Sequence, residues 1–117
     1  MLVLPIKKKW FDMIKSGEKK EEYREFKNYY HKRLPTYFGT FITDVNGTSY
    51  GWNENNEKTV VFRNGYGFRV PQIKCACTLS IGKGKQEWGA EQGKIYYILK
   101  ILEIKEDENG KRKSKVV

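Results

Sequence analysis

The amino-acid sequence predicts an α+β domain in which about six mostly antiparallel strands form a small, partly open β-barrel with two α-helices packed against it. Three observations carry this reading. Residues 6–14 and 25–34 place apolar side chains at helical spacing. Runs near 19–24, 37–44, 58–64, 72–82 and 94–104 alternate or stay apolar over strand lengths, between turn-rich segments. The last run is apolar at both parities, as expected of a strand covered on both faces or curled round a barrel.

Taken in order, Met1 to Leu4 reads as a short strand that Pro5 closes. Ile6, Trp10, Met13 and Ile14 then form one stripe of a helix whose other face carries Lys7, Lys8, Asp12 and Lys15. Ser16-Gly17 is its stop, because glycine accepts the left-handed conformation that ends many helices. Lys19 to Arg24 alternates, which puts Glu22 and Arg24 on one face of a strand and Glu21 and Tyr23 on the other. Phe26, Tyr29, Tyr30, Arg33 and Leu34 return to helical spacing, and Pro35 is expected to end that helix. Turns are expected at Val45-Asn46-Gly47, at 53–56 and at 82–84.

The chain has 117 residues, enough for one domain that buries roughly two-thirds of its unfolded surface. With 15% aromatic residues it has material for a core. Residues 1–104 are expected to form the domain and 105–117 a flexible basic tail. No stretch approaches the roughly 20 apolar residues needed to span a bilayer, and the start is too short for a secretory segment, so a cytoplasmic protein with no membrane partner is expected. Cys75 and Cys77 lie in one apolar run, where buried packing is the default and no mutual disulfide is expected. Two Cys and one His do not supply a four-ligand zinc site, and no metal or other cofactor is expected.

Lys and Arg number 23 against 14 acids, a formal charge of +9. A field of that strength on so small a body attracts polyanions, which makes nucleic acid the leading partner class, although part of the excess lies in the tail.

The segment Gly17-Glu18-Lys19-Lys20-Glu21-Glu22-Tyr23-Arg24 resembles the signature of the ASCH domains, G-x-K-x-x-E-x-R, and fills its four fixed positions with Gly17, Lys19, Glu22 and Arg24. The preceding helix, the block from Val61 to Gly67 and the block from Gly82 to Ala90 are also similar to small stand-alone bacterial and phage members. The resemblance covers about residues 1–104. It implies a PUA-like fold and a cleft near the motif that receives RNA, a nucleotide or a modified nucleoside. It also implies an alternative, since some members resemble hydrolases. One group removes the acyl group from N4-acylated cytidine with the motif Lys, a Thr three residues later and a distal Glu, and another is linked with RNA cleavage. Here Glu22 stands where the amidase group has its Thr.

The residues themselves support two readings. Lys19, Glu22 and Arg24 place one acid between two cations: Glu22 as general base or substrate orienter, Lys19 and Arg24 as holders of a phosphate or an oxyanion. A salt-bridged strand surface is the competing structural explanation. Glu87, in preference to Glu91, is the candidate distal acid. Arg63 and Tyr66 flank the turn Asn64-Gly65 and are candidates for nucleic-acid contact, against a plain hairpin turn. Lys83 and Lys85 belong to a glycine-rich loop expected over the cleft, with no Walker spacing. Trp10, Tyr23, Tyr29 and Tyr30 are expected in the core, and His31 is assigned no chemistry.

Overall fold

A computed structural model of the chain describes residues 1–39, 41–43, 50–52 and 56–107. Their order is β1 (Leu2–Ile6), α1 (Lys8–Lys15), β2 (Glu21–Glu25), α2 (Asn28–Phe38), β3 (Phe41–Thr43), β4 (Tyr50–Trp52), β5 (Lys58–Asn64), β6 (Gln72–Lys83), a single 3-10 turn (Gln86–Trp88) and β7 (Ile95–Glu106). This is an α+β fold with two helices. Five strands make one curled sheet in the order β1-β5-β6-β7-β2, and β3 pairs with β4 in a separate two-stranded ribbon. Among the described residues, only the β1-β5 pairing is parallel and the other pairings are antiparallel.

The main core lies on the face covered by the helices. Phe11 and Ile14 from α1 and Leu34 and Phe38 from α2 pack on Phe62, Ile73, Leu79 and Leu99 of the sheet. Cys75 and Cys77 are both buried there and both free; burial pushes the Cys75 thiol up to about 12. On β7, Tyr97, Leu99 and Ile101 enter this core, while Tyr96 and Ile98 form a second cluster with Ala90 and Tyr23 on the opposite face. The apolar character at both parities is thus explained by cover on both sides.

Several boundaries differ from the sequence expectation. Pro5 does not close β1, which runs on to Ile6. β1 is an edge strand, where a residue without an N–H leaves no ladder bond unmade. Pro35 does not end α2, which continues to Phe38 and stops at Gly39 with φ 59°. A proline inside a helix costs about 3 kcal/mol, but Phe38 is fully buried one turn later and Leu34 just before it, and burial of such side chains returns about 1.5–3 kcal/mol each. The carbonyls of Phe38 and Gly39 are also bonded by the Asn56 side-chain amide. The strand expected over 37–44 is therefore confined to β3. β7 reaches Glu106, two residues past the expected domain limit. The Val45-Asn46-Gly47 turn, 53–55 of the next turn and 108–117 of the tail lie outside the described residues. Among the described residues, no helix is long and apolar enough to cross a membrane.

Candidate functional site

The site begins where α1 stops. Gly17 has φ 86°, a left-handed conformation that a side chain would strain. The Gly17 amide donates to the Ile14 carbonyl at 3.0 Å and the Lys19 amide to the Met13 carbonyl at 2.9 Å, so the chain doubles back over the helix it has just left. Lys19 is thereby sent beneath Trp10 and is 1% exposed. Its Nζ sits 4.7 Å from the Trp10 ring centroid and 5.0 Å from that of Tyr23. It donates to the Trp88 carbonyl and lies 3.3 Å from Glu22 Oε1. An ammonium has three donors and no acceptor, so two oxygens and two ring faces satisfy it well.

Along β2, alternation turns Glu22 and Arg24 to the same face. Arg24 Nη2 is 2.9 Å from Glu22 Oε2, and it also donates to the Pro5 carbonyl at 2.9 Å. Arg24 Nη1 donates to the Tyr30 hydroxyl at 3.2 Å. β1 and β2 are the two opposite edges of the main sheet. Arg24 therefore spans the seam at which the curled sheet approaches itself, with side-chain bonds in place of a backbone ladder. Arg24 Nε is buried and has no hydrogen-bond partner among the described residues.

The seam opens outward as a cleft of about 360 Å³ lined by Pro5, Ile6, Lys7, Trp10, Glu22, Arg24, Gly65 and Tyr66. Gly65 has φ 94° and donates its amide to the Ile6 carbonyl at 3.0 Å, which fixes the β5–β6 loop at the cleft mouth. Tyr66 stands 91% exposed. The wall opposite is set by Trp10, against which Gly89 packs: a Cβ at Gly89 would lie 3.0 Å from the indole. A second hollow, of about 480 Å³, lies between residues 1–3 and the α2 side chains Lys32, Arg33, Thr36 and Tyr37. It has cations but neither a carboxylate nor the motif.

Two basic side chains share one carboxylate where little water reaches. Burial lowers the Lys19 pKa, opposed by the Coulombic pull and hydrogen bond of Glu22 and reinforced by Arg24. Burial also opposes the Arg24 charge, but Glu22 and Tyr30 outweigh it and hold the guanidinium above its ordinary value. Chemically, the cleft offers a carboxylate that accepts N–H groups, cations suited to carbonyl or phosphate oxygens, and two aromatic rings at its sides.

The structure thus brings Lys19, Glu22 and Arg24 together and adds Tyr66 at the rim, while Lys19 itself lies below the cleft lining. Arg63 is half-buried beside the loop and donates from Nε to Gln72 Oε1 at 3.1 Å. Glu87 is exposed on the 3-10 turn, next to the Trp88 whose carbonyl holds Lys19. Lys83 and Lys85 are exposed and do not line the cleft. The loop carrying them is tied down instead: the Lys85 amide donates to the Tyr23 hydroxyl at 2.9 Å and its Nζ sits 4.5 Å from the Trp88 ring centroid. Gly84 is needed there, since a Cβ would come within 2.6 Å of the Tyr23 ring. Sequence reasoning missed Trp10 as a cleft wall and Tyr30 as a ligand of Arg24, because helical spacing shows a buried stripe but not which edge of it remains open. The Pro5 and Trp88 carbonyls left no signal, since every residue has one. Among the described residues, no group of three or more His, Cys, Asp or Glu is placed to hold a metal.

Fold and site together define a small α+β domain with a basic, aromatic-walled cleft over a buried charge cluster. Comparison with protein-family models, with curated proteins and with solved structures finds no match to the chain.

The burial of Lys19 has a consequence for stability. A lysine with a folded pKa below its ordinary 10.5 carries a charging penalty that is fully present below the folded pKa. Between the two values the unfolded chain binds the extra proton, so stability rises with pH and the penalty fades. In paired urea unfolding curves, the stability of the parent protein relative to Lys19→Met should therefore increase as pH climbs towards 10.5; a difference that stays flat would show that Lys19 is not buried as described.

Proposed function

We propose that this chain is a nucleic-acid-binding domain of the ASCH, PUA-like type, and that the seam cleft receives a base of RNA or single-stranded nucleic acid. The observation that carries this reading is the cleft: Trp10 and Tyr66 at its sides, Glu22 and Arg24 at its floor and Lys7 at its mouth, in a chain of charge +9. Flat aromatic faces stack on any base, a carboxylate accepts from exocyclic amino or ring N–H groups, and surrounding cations hold the backbone. The volume suits one nucleoside-sized group, at the lower end of small-ligand sites. Lys19 acts through Glu22, holding its carboxylate in place from below.

The binding reading is tested by fluorescence titration with short RNA and DNA oligonucleotides at two salt concentrations. Affinity should fall steeply with salt as phosphate counterions are released. Tyr66→Ala should weaken binding by about 1–3 kcal/mol, the usual worth of one stacked base. Because Tyr66 is 91% exposed, the variant should melt with the parent. Absence of binding at low salt would end this reading.

One observation favours a second reading, a hydrolase acting on a modified nucleoside such as N4-acylcytidine or on RNA. Lys19, its pKa lowered by burial, touches a carboxylate that lines the cleft. In this reading Glu22 is the base, Lys19 its electrostatic partner and Arg24 the anion holder. Glu22 occupies the position of the amidase Thr, so a hydroxyl nucleophile has no counterpart at that motif position, and Glu87 is exposed on the 3-10 turn. Incubation with N4-acetylcytidine and with labelled RNA, beside Glu22→Gln, separates the two. Turnover abolished in the variant supports the hydrolase, whereas no turnover in the parent leaves the binding module.

A further inference from the structure

The loop beyond the cleft carries a feature that the base pocket does not use. Between Asn64 and Pro71 the chain reads Gly65-Tyr66-Gly67-Phe68-Arg69-Val70. The loop is closed at its base by the Asn64 amide, which donates to the Pro71 carbonyl at 2.9 Å, and is anchored to β1 by the Gly65 amide. Val70 folds back against Gly67, where a Cβ would lie 3.0 Å from Val70 Cγ1. With Val70 turned in and Gly65 left-handed, Tyr66 and Phe68 stand outward, 91% and 100% exposed. Arg69 beside them is also exposed.

A single exposed apolar residue is ordinary. Two aromatic rings at i and i+2 on a braced loop, one on the rim of a cleft and the next fully in water, form a platform continuous with that cleft. Two residues of backbone span at most about 7 Å, a step that neighbouring nucleotides of an unstacked strand can follow. The charge around the loop decides the partner. Arg69 is exposed on the loop, Arg63 stands at its base and Lys7 lines the adjoining cleft, while from Asn64 to Pro71 the sequence contains no Asp or Glu. Aromatic rings alternating with glycine beside arginine suit stacking on bases and contact with phosphate.

Resting on the nucleic-acid reading above, we infer that Phe68 is a second stacking site, which receives the nucleotide next to the one in the cleft while Arg69 meets the phosphate between or beyond them. The ligand is then a single-stranded oligonucleotide of at least two residues and not a free nucleoside.

The test measures affinity for a ribonucleoside monophosphate, a dinucleotide and a single-stranded hexanucleotide with the parent protein, Phe68→Ala, Phe68→Trp and Tyr66→Ala. The parent should bind the dinucleotide more tightly than the monophosphate. Phe68→Ala should lower dinucleotide and hexanucleotide affinity by about 5- to 150-fold, leave monophosphate binding and melting temperature unchanged, and be rescued by Phe68→Trp. If Tyr66→Ala weakens binding while Phe68→Ala does not, the second site is refuted and the base cleft stands. If no ligand binds at low salt, both fall. Loss, in Phe68→Ala, of binding to anionic phospholipid vesicles or of self-association, with oligonucleotide affinity unchanged, would assign the ring to a membrane or a second copy and overturn the inference.

Discussion

The Glu22 carboxylate, held between the Lys19 ammonium and the Arg24 guanidinium, is the interaction on which the rest of this structure depends. Buried ion pairs are not intrinsically stabilising, because desolvation of each charge consumes most of what Coulomb attraction returns. This one survives by leaving few donors unsatisfied: the Trp88 and Pro5 carbonyls, the Tyr30 hydroxyl and two aromatic faces take the bonds that Glu22 does not. Loss of one member of such a cluster costs about 3–5 kcal/mol, since its partners stay buried without compensation. The cluster therefore fastens α1, both sheet edges, α2 and the 3-10 turn at once.

Its position explains the cleft. A five-stranded sheet that curls without closing leaves two edges facing one another, and unpaired edges invite association with other chains. Arg24 bridges them at one point, and beside that point a gap remains between Pro5, Trp10 and the Gly65 turn. Structural fastening and ligand binding thus share residues: the same guanidinium that ties β2 to β1 forms the floor on which, in the proposed reading, a base rests.

Much of this was legible in the sequence. The alternation of Glu22 and Arg24, the stop at Gly17 and the limits of β5 follow from local rules of backbone geometry, and the structure obeys them. The limits of α2 were not legible, because the fate of Pro35 was decided by the burial of Phe38, a tertiary term that local propensity does not contain. The partners of Lys19 were hidden for a related reason: a backbone carbonyl at Trp88 has no residue-type signature. Lys83 and Lys85 looked like a loop above the cleft, yet the Tyr23 hydroxyl and the close fit of Gly84 draw that loop to the far side of Trp10. The exposure of Phe68 was not legible, because residue type alone does not say whether an aromatic ring in a turn-rich stretch is buried.

The most direct test of the account is a two-dimensional ¹⁵N NMR titration with a short single-stranded RNA. The cleft should announce itself through the Trp10 indole N–H and the amides of Gly65 and Tyr66, which are expected to shift together and saturably while Lys32 and Thr36 stay in place. Shifts confined to the hollow beside α2, with the Trp10 indole unmoved, would contradict it.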